Sequence, residues 1–105
     1  MSEYTNELTV EEALQAYREL GLKPQRHTVH GDNCCVVGAI GRKIGGECPY
    51  DSFEKKYGQQ YMRGILRGFD GDWSSSSYGE HERYRSGYYR GKEIAEAVFK
   101  EFATQ

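Results

Sequence analysis

Tyr61-Met-Arg-Gly64-Ile-Leu-Arg67-Gly68 decides the fold, because the chain repeats it 23 residues later as Tyr84-Arg-Ser-Gly87-Tyr-Tyr-Arg90-Gly91. Each copy reads Tyr-x-x-Gly-x-x-Arg-Gly. On a helix, positions i, i+3 and i+7 share a face, so the Tyr and both glycines of each copy form one stripe. The Arg falls one residue before the second Gly and points away from that stripe. A glycine inside a helix costs about 1 kcal/mol relative to Ala, so four of them need an offsetting gain. Close approach of a second backbone supplies it. The spacing therefore predicts that the two copies cross, glycine stripe against glycine stripe. The alternative is a stripe packed on its twin in a homodimer. In either case the driving force is burial of the flanking Tyr and Ile, at about 25 cal/mol per Å² of apolar surface.

Helix signals continue on both sides of the repeat. Thr9 and Glu12 have the spacing of a capping box, with Leu8 and Ala13 placed to close a hydrophobic staple. Val10, Ala13, Leu14, Tyr17 and Leu20 form an inward stripe, and Gly21, Leu22 and Pro24 end the helix. Residues 25–31 read as a loop with a short extended piece near 26–30. A second helix is expected from about Cys34 to Ile44, capped by Asp32 or Asn33. It is small or apolar all round through Ile40, which predicts a central, buried position. Asp51 and Glu54 suggest another capping box for a short helix to Tyr57, and Gly58 separates that helix from the first repeat copy. The last helix is expected from about Gly79 to Phe102. Strand signals are nearly absent. The expectation is an all-α fold: one domain over residues 1–105, a compact bundle of four to five helices, with 1–7 an unstructured or extended tail.

Composition narrows the function classes. The 105 residues hold no apolar run long enough to span a bilayer, and the polar, acidic start is unlike a secretory signal. Three cysteines leave one unpaired in any disulfide scheme, which points to a reducing cytoplasm. The net charge of −2 is unevenly spread. Residues 1–20 carry five acids and one base, whereas residues 55–92 carry eight bases and four acids. A basic middle between acidic ends suits an acidic partner.

Several residue clusters carry candidate chemistry. His27, His30, Cys34, Cys35 and Cys48 are zinc-type ligands within 22 residues, but their spacing matches no paired-Cys module. Buried cysteines beside loop histidines are the plainer reading, so no metal or other cofactor is expected. Cys34 or Cys35 at a helix N-terminus, with His27, His30 or His81 as base, has the parts of a cysteine hydrolase. No sheet is expected to hold such a base, and no catalytic residue is assigned. Asp70-Gly71-Asp72 reads as a turn, because the rest of a calcium loop is missing. Arginines among tyrosines suit nucleic acid or a nucleotide, since Arg neutralises phosphate and Tyr stacks on bases. No phosphate loop or nucleic-acid motif accompanies them.

The ordered elements, Cys34-Cys35-x-x-Gly38-Ala39, then Tyr61-x-x-Gly64-x-x-x-Gly68-Phe69-Asp70-Gly71, then Tyr84-x-x-Gly87-Tyr88-x-x-Gly91, resemble a family of small proteins of bacteria and their phages. The similarity runs roughly from Thr9 to Phe99. It implies a phage or mobile-element origin and no particular reaction. Small proteins of that origin often bind and inhibit a host component. The expected role is thus a cytoplasmic, non-enzymatic module that docks on a host or defence protein. Its expected contacts are Arg67, Asp70, Asp72, Trp73, Arg85, Tyr89 and Arg90. Arg67 and Arg90 are chosen because both repeat copies keep an Arg off the buried stripe. Alternative roles are nucleic-acid or nucleotide binding by the Arg/Tyr face, and a zinc-supported or reactive-thiol protein.

Overall fold

The computed structural model describes residues 6–27, 31, 33–45, 48–71 and 82–102. Among these residues five helices follow in order: α1 (Val10–Leu20), α2 (Val36–Ile44), α3 (Pro49–Tyr57), α4 (Gln59–Asp70) and α5 (Glu82–Phe102). The only sheet among the described residues is a parallel ladder of two short strands, β1 (Lys23–Pro24) and β2 (Asn33–Cys34). The chain is all-α, as the glycine and apolar spacing predicts.

The start of α1 forms as its sequence dictates. The Thr9 hydroxyl accepts from the Glu12 N–H at 3.0 Å, and Glu12 Oε1 accepts from the Thr9 N–H at 2.9 Å. At the other end, Gly21 adopts φ 67°, a left-handed cap that most side chains resist. Leu22 then folds back into the core.

Two boundaries differ from expectation. The α2 helix begins at Val36 and is capped by Cys35, not by Asp32 or Asn33, because Asn33 and Cys34 are held extended by the ladder to Lys23 and Pro24. The Cys34 carbonyl accepts from the Gln25 N–H at 3.1 Å and from the Tyr17 hydroxyl at 2.7 Å. The described extended pieces lie at 23–24 and 33–34, Arg26 and His27 form a turn, and the rest of the extended piece expected near 26–30 lies outside the described residues. The α3 helix starts at Pro49, earlier than an Asp51–Glu54 capping box would allow. Proline fits a first helical position, where its missing N–H would have had no partner. The expected start of α5 at Gly79 lies outside the described residues.

Cys34 to Gly41 are buried without exception, which makes α2 the central helix. Around it lie Tyr17 of α1, Phe53 and Tyr57 of α3, Tyr61, Ile65 and Phe69 of α4, and Ile94 and Val98 of α5. The helix ends are also tied together. Arg18 on α1 makes a two-pronged pair with Glu101 on α5, both contacts at 2.7 Å. That hydrogen bond is what lowers the Glu101 carboxyl below its ordinary range.

The repeat forms a backbone-to-backbone junction. A Cβ placed on Gly64 would come within 3.0 Å of the Tyr84 carbonyl oxygen and the Tyr88 amide nitrogen, and one on Gly68 would meet Tyr88 O and Lys92 N equally closely. From the other side, Gly87 faces Tyr61 O and Ile65 N, while Gly91 faces Ile65 O and Phe69 N. Adding 23 to the first helix's residues turns each set of contacts into the other. The two copies thus meet reciprocally, as halves of a two-fold pair within one chain. Gly64 lies by Tyr84–Tyr88 and Gly68 by Tyr88–Lys92, so α4 and α5 run in the same direction. Each glycine hydrogen that replaces a Cβ points at a carbonyl oxygen, an arrangement that adds about 0.5–1 kcal/mol per contact. Both stripes are consumed inside the chain, which leaves neither of them free to pack on a twin in a homodimer.

Candidate partner-binding surface

The residues chosen from sequence divide into three groups. Arg67, Arg85 and Tyr89 are exposed. Tyr89 is 64% exposed, more than any other large hydrophobic residue among those described. Arg85 and Tyr89 lie one turn apart on the same face of α5. Arg67 approaches from α4, since its neighbour Gly68 abuts the Tyr88–Lys92 turn. The aromatic surface extends inward: the Tyr88 ring meets Tyr89 edge-on at 5.7 Å and stacks on Tyr84 at 6.4 Å, and the Lys92 ammonium stands 5.7 Å from it.

Asp70 and Arg90 serve the fold. Asp70 retains only 13% side-chain exposure; its Oδ1 accepts from the His27 N–H at 2.9 Å, and its Oδ2 lies 3.5 Å from His27 Nδ1. Beside it the Arg26 Nε donates to Phe69 O at 3.0 Å, and its guanidinium lies 4.5 Å from the Phe99 ring. These contacts bind the loop after β1 to the end of α4. Arg90 is 28% exposed, pairs with Glu93 at 3.0 Å, and donates through Nη1 to the Leu8 carbonyl. It lies off the glycine stripe, as expected, but it is turned to an internal partner. Asp72 and Trp73 lie outside the described residues.

Among the described residues, no three His, Cys, Asp or Glu side chains converge as metal ligands. Cys34 and Cys35 are buried and Cys48 is half-buried. His27 turns to Asp70, while His30 and His81 lie outside the described residues. A helix N-terminus favours the thiolate, but burial dominates and pushes the Cys35 thiol up to about 11. The backbone N–H groups of Gly38 and Val37 pull the other way and are outweighed. Such a thiol is protonated at neutral pH.

Sequence reasoning missed a polar junction at residues 6–8. There Asn6 Nδ2 donates to Lys56 O at 2.9 Å, and the Leu8 N–H donates to the Tyr61 hydroxyl at 2.9 Å. Arg83 Nη2 donates to both Asn6 O, at 2.9 Å, and Tyr57 O, at 2.7 Å, with its guanidinium 4.3 Å from the Tyr61 ring. Lys56 and Tyr57 are the last residues of α3, whose carbonyls have no partner within the helix. The Leu8 side chain is fully buried. Only the staple role of Leu8 was legible in advance.

Comparison of the chain with protein-family models, with curated proteins and with solved structures gave no match. No described helix is long and apolar enough to cross a membrane.

Proposed function

We propose that this chain is a small cytoplasmic, non-enzymatic binding module of phage or mobile-element origin that docks on a host or defence protein and inhibits it. The observation that carries the reading is Tyr89, a large aromatic held in solvent on a helix whose opposite face is locked by the glycine crossing. Aromatic and arginine side chains dominate the energetics of protein interfaces, and a rigid backbone lowers the entropy lost on docking. Arg67 and Arg85 supply guanidinium groups beside it. Asp72 and Trp73, which follow α4 directly in sequence, belong to the same proposed surface. The origin rests on the resemblance of the Cys-x-x-Gly-Ala and Tyr-x-x-Gly elements to small phage proteins.

The test is affinity capture from bacterial lysate with the intact protein and its Tyr89→Ala and Arg85→Ala variants, each with and without nuclease. The reading predicts one protein retained in near-equal amount, indifferent to nuclease, and reduced about tenfold by either substitution. Retention that nuclease abolishes would overturn it in favour of nucleic-acid binding. Capture unaffected by both substitutions would place the surface elsewhere.

A further inference from the structure

The N-terminal segment sits in its groove as a ligand sits in a binding site. Residues 6–8 form no strand ladder and no helix, and side chains or a helix-end carbonyl meet four of their polar groups. Tyr61 accepts the Leu8 N–H, Arg90 donates to the Leu8 carbonyl, Arg83 donates to the Asn6 carbonyl, and Lys56 O takes the Asn6 amide. Three of these four contacts read main chain alone. The side chains that are read are one leucine, fully buried, and one asparagine. Beyond Leu8 lies a cleft of about 200 Å³, lined by Ile40, Ile44 and Tyr57 and flanked by Lys43 and Lys56. Glu12 also lines it, but that carboxylate is taken by the capping box.

Charge matches the occupant to the groove. Arg83 and Arg90 donate to its carbonyls, and Lys43 and Lys56 line the cleft beside it, although Arg90 also pairs with Glu93 and Lys43 with Glu19. The described part of the segment carries one charge, that of Glu7. We infer that this groove is a peptide-binding site for an extended, acidic segment bearing Asn-x-Leu, which the chain's own residues 6–8 occupy in the absence of a partner. The site is separate from the Tyr89 surface and stands or falls independently of it.

The tether sets the competition. Thr9 is fixed by the capping box, so the resident segment is presented at a high effective concentration and holds the groove against a free peptide. Its hold is reversible where main chain outside helices and strands opens at a lower free energy than the helices it packs on. Weakening the resident leucine therefore uncovers the site for a peptide supplied in trans.

The probe is a fluorescent synthetic peptide of residues 2–11, titrated by anisotropy against full-length wild-type protein and against full-length Leu8→Ala. The inference predicts saturable binding to Leu8→Ala, about tenfold tighter than to wild type. It also predicts loss of that binding when the peptide itself carries Leu8→Ala, and a weakening of about tenfold when Arg90→Ala is added to the protein. Absence of binding to Leu8→Ala, equal binding to both proteins, or indifference to the peptide's leucine or to Arg90 would overturn it. If Leu8→Ala alone loses its helical circular dichroism, recovery of that signal on adding the peptide supports the site, and no recovery refutes it.

Discussion

Cys35 stands at the N-cap of α2, where the helix dipole favours a thiolate, yet burial pushes its thiol from 9.0 up to about 11. Desolvation outweighs the dipole because the sulfur is almost fully enclosed. Burial raises the hydroxyls of Tyr17 and Tyr61 as well, and lifts Tyr57 from 10.0 to about 12. All four groups are neutral when folded and more acidic when unfolded, so their contribution to stability is complete below 9.0. Between 9.0 and about 11 the unfolded chain has released a proton that folded Cys35 still holds, so stability falls as pH rises, by about 1.4 kcal/mol per unit for one such group. The tyrosines steepen the fall above 10.0. Urea midpoints measured across this range are expected to hold steady up to 9.0 and then drop. A midpoint that stays level to about 11 would contradict the burial assigned to these groups.

The crossing of α4 and α5 is where local propensity and packing oppose one another. Alanine in place of glycine gains about 1 kcal/mol of helix propensity. At Gly64, Gly68, Gly87 and Gly91, however, the added methyl would enter the backbone of the facing helix, which has no rotamer by which to yield. Each Gly→Ala substitution is expected to cost a net of about 2 kcal/mol, read as a lowered urea midpoint by circular dichroism. A gain at any of the four would place that glycine outside the contact. These stripes were legible in the sequence because their code is local: a small residue every fourth position, with an aromatic before it. The capping box and the Gly21 cap were legible for the same reason. The starts of α2 and α3 were not, since Asn33 looks like a cap until Lys23 pairs with it, and Asp51 until Pro49 takes the first helical position. Arg83 and Arg90 were equally hidden in their roles. They act on the carbonyls of Asn6, Tyr57 and Leu8, and a backbone carbonyl has no residue signature at any sequence distance.

Across the whole molecule, the charge asymmetry of the sequence is partly spent within the fold. The N-terminal segment runs onto the basic middle, where Arg83 and Arg90 donate to its carbonyls, and Arg90 also pairs with Glu93, so Arg90 adds less to an external field than a count of bases implies. Arg67, Arg85 and Lys92 remain exposed around Tyr89. This division between an inward and an outward set of bases follows from the α4–α5 crossing, which places one repeat Arg toward Leu8 and leaves the other in solvent. The direction of that crossing was not legible, because neighbouring helices in sequence pack either way. The eleven residues between Asp70 and Glu82 are long enough for α5 to start again beside the start of α4. Nuclear Overhauser spectroscopy on uniformly labelled protein reads the crossing directly. The account predicts cross-peaks from the Gly64 α-protons to the Tyr88 amide and from the Gly68 α-protons to the Lys92 amide, all within one chain. Cross-peaks from Gly64 to Lys92 and from Gly68 to Tyr84, or contacts seen only between differently labelled copies, would contradict it.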